Sequence, residues 1–209
     1  MSRGKFIAFE GGEGTGKSTQ ARLLAAALTA RGIACEITRE PGGTPGAEAI
    51  RTLLLDPALP RWAPAAEALL FAAARSDHVA HRIEPALAAG RWVICDRFVD
   101  SSLAYQGDAA GLGEAAIRTL HKVGSQGLYP DVTLLLEADS GTTEGRLSAR
   151  DGDAADKIGG RGAAFHDGVA RAFDRLARAE PHRFHRIDAA RSPEDVHALI
   201  LAALGDLIP

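Results

Sequence analysis

The stretch FIAFEGGEGTGKST, at residues 6–19, decides the fold of this chain. Residues 6–9 are apolar and have the length of a buried strand, and the glycine-rich pattern G-x-x-x-x-G-K-S follows at residues 11–18. A segment of helical period then runs over residues 18–31 and ends at Gly32, a favoured residue after a helix. In this strand–loop–helix context the pattern predicts a loop that binds phosphate next to the positive end of a helix.

Each residue type in this loop serves phosphate binding in its own way. Glycines let successive backbone N–H groups point inward at a phosphate. Lys17 can reach the β- and γ-phosphates of a nucleotide, and the hydroxyl of Ser18 can ligate Mg²⁺. The predicted nucleotide-binding residues are Gly11, Gly12, Glu13, Gly14, Thr15, Gly16, Lys17 and Ser18.

The rest of the chain alternates short apolar runs with longer helical segments. Residues 33–38, 92–95, 132–136 and 184–187 are predicted strands. A long helical stretch at residues 64–89 is expected to bend or break near Pro85, and Ser192 with Pro193 is expected to open the last helix. Strands joined by helices favour a parallel sheet with both faces covered. We therefore predict an α/β fold with three layers, α/β/α, a five-stranded parallel sheet and a single domain over residues 1–209.

Composition excludes several other classes of protein. The chain has 209 residues, of which 46% are hydrophobic, and this content is too high for a disordered protein. Its net charge of −3 argues against a nucleic-acid-binding protein. Two cysteines are too few for a disulfide framework. No apolar run is long enough to cross a membrane and no signal peptide is evident, so we expect a cytoplasmic protein.

Further polar clusters lie at the ends of predicted strands, where ligands bind in parallel sheets. Arg39 follows the second strand, and Asp96 and Arg97 follow the third. Phe71 and Arg75 are four residues apart on a predicted helix and therefore share one face. Because arginine forks suit phosphate and an aromatic ring suits a base, these residues predict a second, phosphorylated aromatic ligand.

Taken together, these motifs make the chain resemble bacterial thymidylate kinase (dTMP kinase) over nearly its whole length. The resemblance implies a P-loop nucleotide kinase fold and the phosphorylation of dTMP to dTDP by ATP with Mg²⁺. The motifs that carry it are FEG at 9–11, REPGGT at 39–44, LFAAAR at 70–75, DRF at 96–98, SSLAYQG at 101–107, PDVTLLL at 130–136 and IDA at 187–189.

The resemblance also implies roles in binding dTMP. Arg97, supported by Arg39, would hold the dTMP phosphate. Phe71 would stack on the thymine ring, and Arg75 would donate a hydrogen bond to thymine O4. The other residues implied at this substrate are Ser102 at the base edge, Tyr105 under the deoxyribose, Glu10 near the 3′-hydroxyl and the metal, and Gln106.

Catalysis would then be in-line phosphoryl transfer that requires no strong general base. Lys17, Arg97 and arginines of a mobile lid at residues 146–163 would neutralise the transferring group, and Asp96 could organise Mg²⁺ through water. Because the phosphate loop has no arginine at residues 12–15, the resemblance is to the lid-arginine type. Arg150 is the first lid candidate and Arg161 the second.

The lid departs from the family pattern at two positions. Lys157 stands where arginine is common, and Gly159 stands where glutamate is common. The family further implies a homodimer packed through helices, for which residues 64–89 could supply a face. Two alternatives stay open: another small phosphate-loop kinase with a different acceptor, and a nucleotide-dependent switch or partition ATPase that acts on a partner.

Overall fold

The computed structural model describes residues 2–139 and 158–208. In these residues a parallel sheet has the strand order β2-β3-β1-β4-β5. The predicted five-stranded parallel sheet is therefore confirmed. Its strands are β1 (Phe6–Gly11), β2 (Cys35–Arg39), β3 (Trp92–Asp96), β4 (Val132–Glu137) and β5 (Phe184–Asp188).

Burial along the strands follows their place in the sheet. The three central strands β1, β3 and β4 are buried over almost their whole length, because helices cover both of their faces. The two edge strands are mostly accessible: Thr38 is the buried residue of β2, and Phe184 and Ile187 are the buried residues of β5. The continuous apolar runs in the sequence therefore mark the centre of the sheet.

Helices pack on both faces of the sheet and complete the three predicted layers. Ile7 and Phe9 of β1 belong to a core that includes Leu24 and Ile200, whereas Phe6 and Ala8 belong to the opposite core. No helix among the described residues is both long and apolar enough to cross a membrane. The described helices are α1 (Lys17–Ala30), α2 (Pro45–Leu55), α3 (Pro64–His78), α4 (Glu84–Ala88), α5 (Val99–Ser102), α6 (Glu114–Ser125), α7 (Ala163–Ala179) and α8 (Pro193–Ala203).

The predicted interruption near Pro85 is present and has a defined form. Between α3 and α4 the helix widens into a π-helical segment, π1 (Val79–Ile83). Pro85 has no N–H to donate to the carbonyl four residues earlier, and the wider turn lies immediately before it. A second π-helical segment, π2 (Leu103–Ala109), follows α5 and was not predicted.

A buried ion pair ties the chain after β3 to the neighbouring strands. The Asp100 carboxylate is fully buried and accepts hydrogen bonds from Arg183 at 2.6 and 2.9 Å and from Thr133 Oγ1 at 3.1 Å. Replacing Asp100 by alanine would leave a buried guanidinium without its main partner. We expect Asp100→Ala to lower the free energy of unfolding by about 3–5 kcal/mol in urea titrations.

Asp174→Ala serves as the matched control, because it removes a carboxylate whose partners Arg178 and Arg186 are largely exposed. Its urea midpoint should change much less. If both variants unfold at the same urea concentration, the buried guanidinium of Arg183 does not depend on Asp100 as argued.

Candidate active site

A cavity of about 610 Å³ lies at the carboxyl ends of β1, β2 and β3. Residues 13–20, from the phosphate loop and the first turn of α1, line one side of it. Side chains from α2, α3 and π2 line the other side. The cavity is within the size range of small-molecule sites and lies where parallel sheets bind ligands.

Glycine is required where the phosphate loop turns. Gly11 has a φ of 128°, and a Cβ there would lie 2.2 Å from the carbonyl oxygen of Leu136 on β4. Gly14 and Gly16 also have positive φ angles, of 71° and 92°. These positions let the chain pass close to the sheet and then enter α1, so that its first N–H groups face the cavity.

The side chain of Lys17 folds back over the loop. Its Nζ donates to the carbonyl oxygens of Gly12 at 2.5 Å and Gly11 at 3.2 Å. Burial, together with the nearby positive charge of Arg97, lowers the pKa of Lys17 to about 7. The loop therefore holds a desolvated amine at the position where anionic phosphates would restore its charge.

Ser18 and Asp96 meet at the mouth of the cavity, where Ser18 Oγ donates to Asp96 Oδ2 at 2.5 Å. A hydroxyl and a carboxylate are oxygen donors of the kind that Mg²⁺ takes. In the described part of the chain no group of three or more His, Cys, Asp or Glu side chains could hold a metal by itself. This small donor set fits Mg²⁺, which is bound in kinases by few side chains together with substrate phosphates and water.

Glu10 organises the loop that carries Arg97. Its buried carboxylate accepts from the Phe98 N–H at 2.8 Å, the Ser101 N–H at 3.0 Å and the Ser101 hydroxyl at 2.6 Å. Burial and the negative charge of Asp100 raise the pKa of Glu10 above its usual range. Glu10 lies behind the cavity wall in this structure, and its predicted approach to a sugar hydroxyl stays a prediction.

Several arginines line the cavity, among them Arg39, Arg51 and Arg97. Arg97 has a left-handed φ of 69° and donates to the Gly11 carbonyl at 3.1 Å and the Ser101 hydroxyl at 3.2 Å. Arg39 donates to the Glu48 carboxylate at 3.0 Å. Arg51 on α2 also lines the cavity and was not predicted. It lies four residues after buried Ala47 and four before cavity-lining Leu55, and this helical spacing indicates that the three residues share one face.

Side chains of α3, α5 and π2 line one part of the cavity. Phe71 and Arg75 both line it, which confirms that they share one face of the helix. Arg75 Nη2 donates to Ser102 Oγ at 2.8 Å, and the Arg97 guanidinium lies 5.3 Å above the ring of Tyr105. The predicted side chains that line the cavity are Glu13, Thr15, Lys17, Ser18, Arg39, Phe71, Arg75, Asp96, Arg97, Ser102, Tyr105 and Gln106, with the glycines Gly14 and Gly16.

The segment just before α7 contributes to the wall of the cavity. Ile158 is buried and lines it. Arg161 forms a short ion pair with Glu67 of α3. The Glu67 carboxylate also accepts a hydrogen bond from Gln106 Nε2 at 3.0 Å. The Arg161 guanidinium lies 4.6 Å from the centre of the Phe165 ring. Arg161 therefore contacts α3 instead of the phosphate loop. Arg150 and Lys157 lie outside the described residues.

Gly159, which stands where glutamate is common in the family, packs against the phosphate loop. A Cβ at residue 159 would lie 2.6 Å from Oε2 of Glu13. The Glu13 carboxylate thus occupies the space where a side chain at 159 would begin. The two positions are packed against each other, so a larger residue at 159 would require Glu13 to move.

Comparisons with known proteins show which family this chain resembles. Residues 9–200 match the family described as thymidylate kinase. The chain is 57% identical over 209 residues to a thymidylate kinase of Rhizorhabdus wittichii, with 99% of each chain covered. It is 49% identical over 205 residues to a thymidylate kinase of Chromohalobacter salexigens, covering 98% of this chain and 96% of that protein. A crystal structure of thymidylate kinase from Ehrlichia chaffeensis matches with a TM-score of 0.77 at 32% identity, covering 97% of this chain and 99% of the other.

Proposed function

This chain belongs to the thymidylate kinase family, and on that basis we propose that it phosphorylates dTMP to dTDP with ATP. The observation that carries the proposal is one cavity with two different sides. One side is a phosphate loop with a buried lysine, and the other combines Arg97 with the pair Phe71 and Arg75. Such a cavity suits two phosphorylated ligands held end to end.

The reaction follows from this arrangement. An anionic oxygen of the dTMP phosphate attacks the γ-phosphorus of ATP, and the bond from that phosphorus to the β,γ-bridging oxygen breaks to release ADP. Because the acceptor oxygen is already anionic, the chain needs no strong general base. Its residues instead hold two polyanions together: Lys17 contacts the nucleotide phosphates, and Arg97, supported by Arg39 and Arg51, holds the acceptor.

Ser18 and Asp96 would hold Mg²⁺ in this reaction, Asp96 through water. When bound, the ion neutralises charge on the β- and γ-phosphates. On the protein side, the 2.5 Å hydrogen bond between the two residues keeps both oxygen atoms at the mouth of the phosphate loop.

The proposal is tested by a coupled ATP assay with a panel of acceptors. We expect the purified protein to form dTDP and to prefer dTMP over dGMP, a nucleoside or shikimate. A strong preference for one of these other acceptors would favour another phosphate-loop kinase. Slow ATP hydrolysis without a phosphorylated product would favour a nucleotide-dependent switch.

The pKa of Lys17 gives a prediction about protons. In the free protein the amine loses its proton above about pH 7. Anionic phosphates favour the ammonium form, so nucleotide binding raises this pKa and takes up a proton. Calorimetric titration with ATP at pH 8, in buffers of different ionisation enthalpy, should show an uptake approaching one proton. At pH 6 Lys17 is already protonated and should take up almost none.

The control for this prediction is Lys17→Arg, because a guanidinium stays charged at both pH values. Its binding of ATP should take up no proton at pH 8. Equal proton uptake by the two proteins at pH 8 would assign the proton to another group.

We further propose that residues 1–209 form a single cytoplasmic domain with a lid of the lid-arginine type at residues 146–163, of which the structure describes 158–163. The absence of arginine at residues 12–15 supports this assignment. Since Arg161 contacts Glu67, Arg150 is the stronger candidate to reach the transferring phosphate.

We also propose a homodimer formed through α3 and α6, which pack side by side. Leu69 on α3 is 56% exposed and Val123 on α6 is 81% exposed, so an apolar surface faces outward here. Sedimentation velocity should give a dimer for the native protein and a monomer for Leu69→Glu. The control Arg178→Glu, on exposed α7, should stay dimeric, and a dimeric Leu69→Glu would contradict this interface.

A further inference from the structure

A chain of buried hydrogen bonds runs behind the part of the cavity that α3, α5 and π2 line. Thr38 Oγ1 lies 2.7 Å from His78 Nε2, and His78 Nδ1 lies 3.1 Å from Glu40 Oε1. Glu40 Oε2 accepts from Arg75 Nε at 2.7 Å, and Arg75 Nη2 donates to Ser102 Oγ at 2.8 Å. All five residues are buried, and they come from β2, the chain after it, α3 and α5.

Chemistry fixes the direction of the central hydrogen bonds. A carboxylate only accepts, so His78 must carry a proton on Nδ1 and donate it to Glu40. The other oxygen of the same carboxylate accepts a hydrogen bond from Arg75 Nε. Glu40 is therefore held between two donors, and His78 cannot turn without breaking its bonds to Glu40 and Thr38.

Arg75 is held on several sides by this arrangement. Its Nε bonds to Glu40, its Nη2 bonds to Ser102 and to the Phe98 carbonyl at 3.3 Å, and its guanidinium lies 5.4 Å from the centre of the Phe98 ring. Within the described residues, Nη1 is the guanidinium nitrogen that makes no hydrogen bond to the protein. Because Arg75 lines the cavity, Nη1 is the group available to a ligand.

Stability alone does not account for such a charged pair. A buried ion pair costs several kcal/mol of desolvation for each ion, and apolar residues of similar volume often replace it without loss. The pair of Arg75 and Glu40 is almost fully buried, at 4% exposure for each side chain. The ion pair instead fixes the direction of Nη1 of Arg75, the remaining donor at the wall of the cavity.

We propose that Glu40 and His78 are positioning residues that fix Arg75 and thereby set the choice of base. A donor fixed at this point selects a pyrimidine with an oxygen acceptor, as in thymine, over one with an amino group there, as in cytosine. This inference rests on the proposed function and deepens it, because it names residues that act on the base through Arg75.

The test compares kcat/KM for dTMP and dCMP in matched variants. We expect Glu40→Gln to lower kcat/KM for dTMP about tenfold or more, mainly through KM, since Arg75 loses a charged partner. The value for dCMP should fall less than threefold, so that the ratio between the two substrates drops. The control Glu36→Gln makes the same exchange on β2, where Glu36 pairs with the partly exposed Arg82 and Arg91. It should leave the ratio unchanged.

His78 supplies a test that does not remove the carboxylate. His78→Asn keeps an N–H at the place of Nδ1 and should retain most of the preference for dTMP. His78→Leu removes that donor and should lose the preference about as far as Glu40→Gln. An equal fall of kcat/KM for dTMP and dCMP in Glu40→Gln and His78→Leu would indicate a merely structural role and would overturn the inference.

A spectroscopic measurement separates this inference from the proposed function. The Nε–H resonance of Arg75, assigned with Arg75→Lys, should exchange slowly with water in the native protein and quickly in Glu40→Gln. Slow exchange in both proteins would overturn the positioning role, whatever the kinetics. If the native protein instead forms no dTDP, the proposed function fails, and the exchange data still decide whether Glu40 fixes Arg75.

Discussion

Replacing Arg97 by alanine is expected to lower kcat/KM for dTMP by about two to three orders of magnitude, the usual cost of removing one charged donor from a closed site. Arg97 is anchored to the Gly11 carbonyl and the Ser101 hydroxyl, so its guanidinium bridges the phosphate loop and the acceptor side of the cavity. A steady-state assay of dTDP formation measures the effect. Arg97→Lys should recover only part of it, because an ammonium keeps the charge and loses the fork.

Backbone strain does not complicate the comparison between these variants. Alanine and lysine meet the same left-handed φ of 69° at position 97 as arginine does. Arg178→Ala removes an exposed arginine from α7 and should retain native activity. A fall of less than threefold for Arg97→Ala would remove Arg97 from the proposed site.

Lys17→Met should lower kcat by about three orders of magnitude or more, with little change in the affinity for dTMP. Among the described residues, Lys17 Nζ donates hydrogen bonds to loop atoms of Gly11, Gly12 and Thr15 on the nucleotide side. Methionine fills a similar volume, so the fold should persist while the charge on the nucleotide phosphates loses its partner. Single-turnover kinetics and dTMP titration measure the two effects separately.

Lys122→Met is the matched control for this variant, since Lys122 is exposed on α6. It should keep the native kcat. If Lys17→Met retained more than a tenth of the native kcat, charge neutralisation at the nucleotide phosphates would have to come from elsewhere in the chain.

Much of the fold could be predicted because local rules decide it. Central strands carry apolar residues on both faces, so β1, β3 and β4 are visible as continuous runs. Ser192 accepts from the Asp195 N–H at 3.2 Å and Pro193 begins α8, as the capping pattern predicts. The boundaries shifted by one or two residues, which is the usual spread at element ends.

The parts of the site that the sequence did not reveal depend on contacts between distant residues. Arg75 could be placed on a helix face with Phe71, but its partner Glu40 lies 35 positions earlier in the chain. Arg161 is separated from Glu67 by 94 positions, so its ion pair is visible only once α3 is folded against the segment before α7. Spacing along one helix can be recognised in the sequence, whereas such pairings require the tertiary structure.

The π-helical segment at Leu103–Ala109 has a consequence for insertions and deletions. A π-helical turn closes its hydrogen bonds five residues apart instead of four, so it accommodates a residue that an α-helix would not. Deleting one residue ahead of Tyr105 would replace the wide turn by an α-helical one and change the directions of the side chains within the segment. Tyr105 and Gln106 could then no longer both face the cavity. A deletion in the exposed segment 57–62 would be absorbed by the loop. At 103–109, the number of residues is therefore constrained as strictly as their identity.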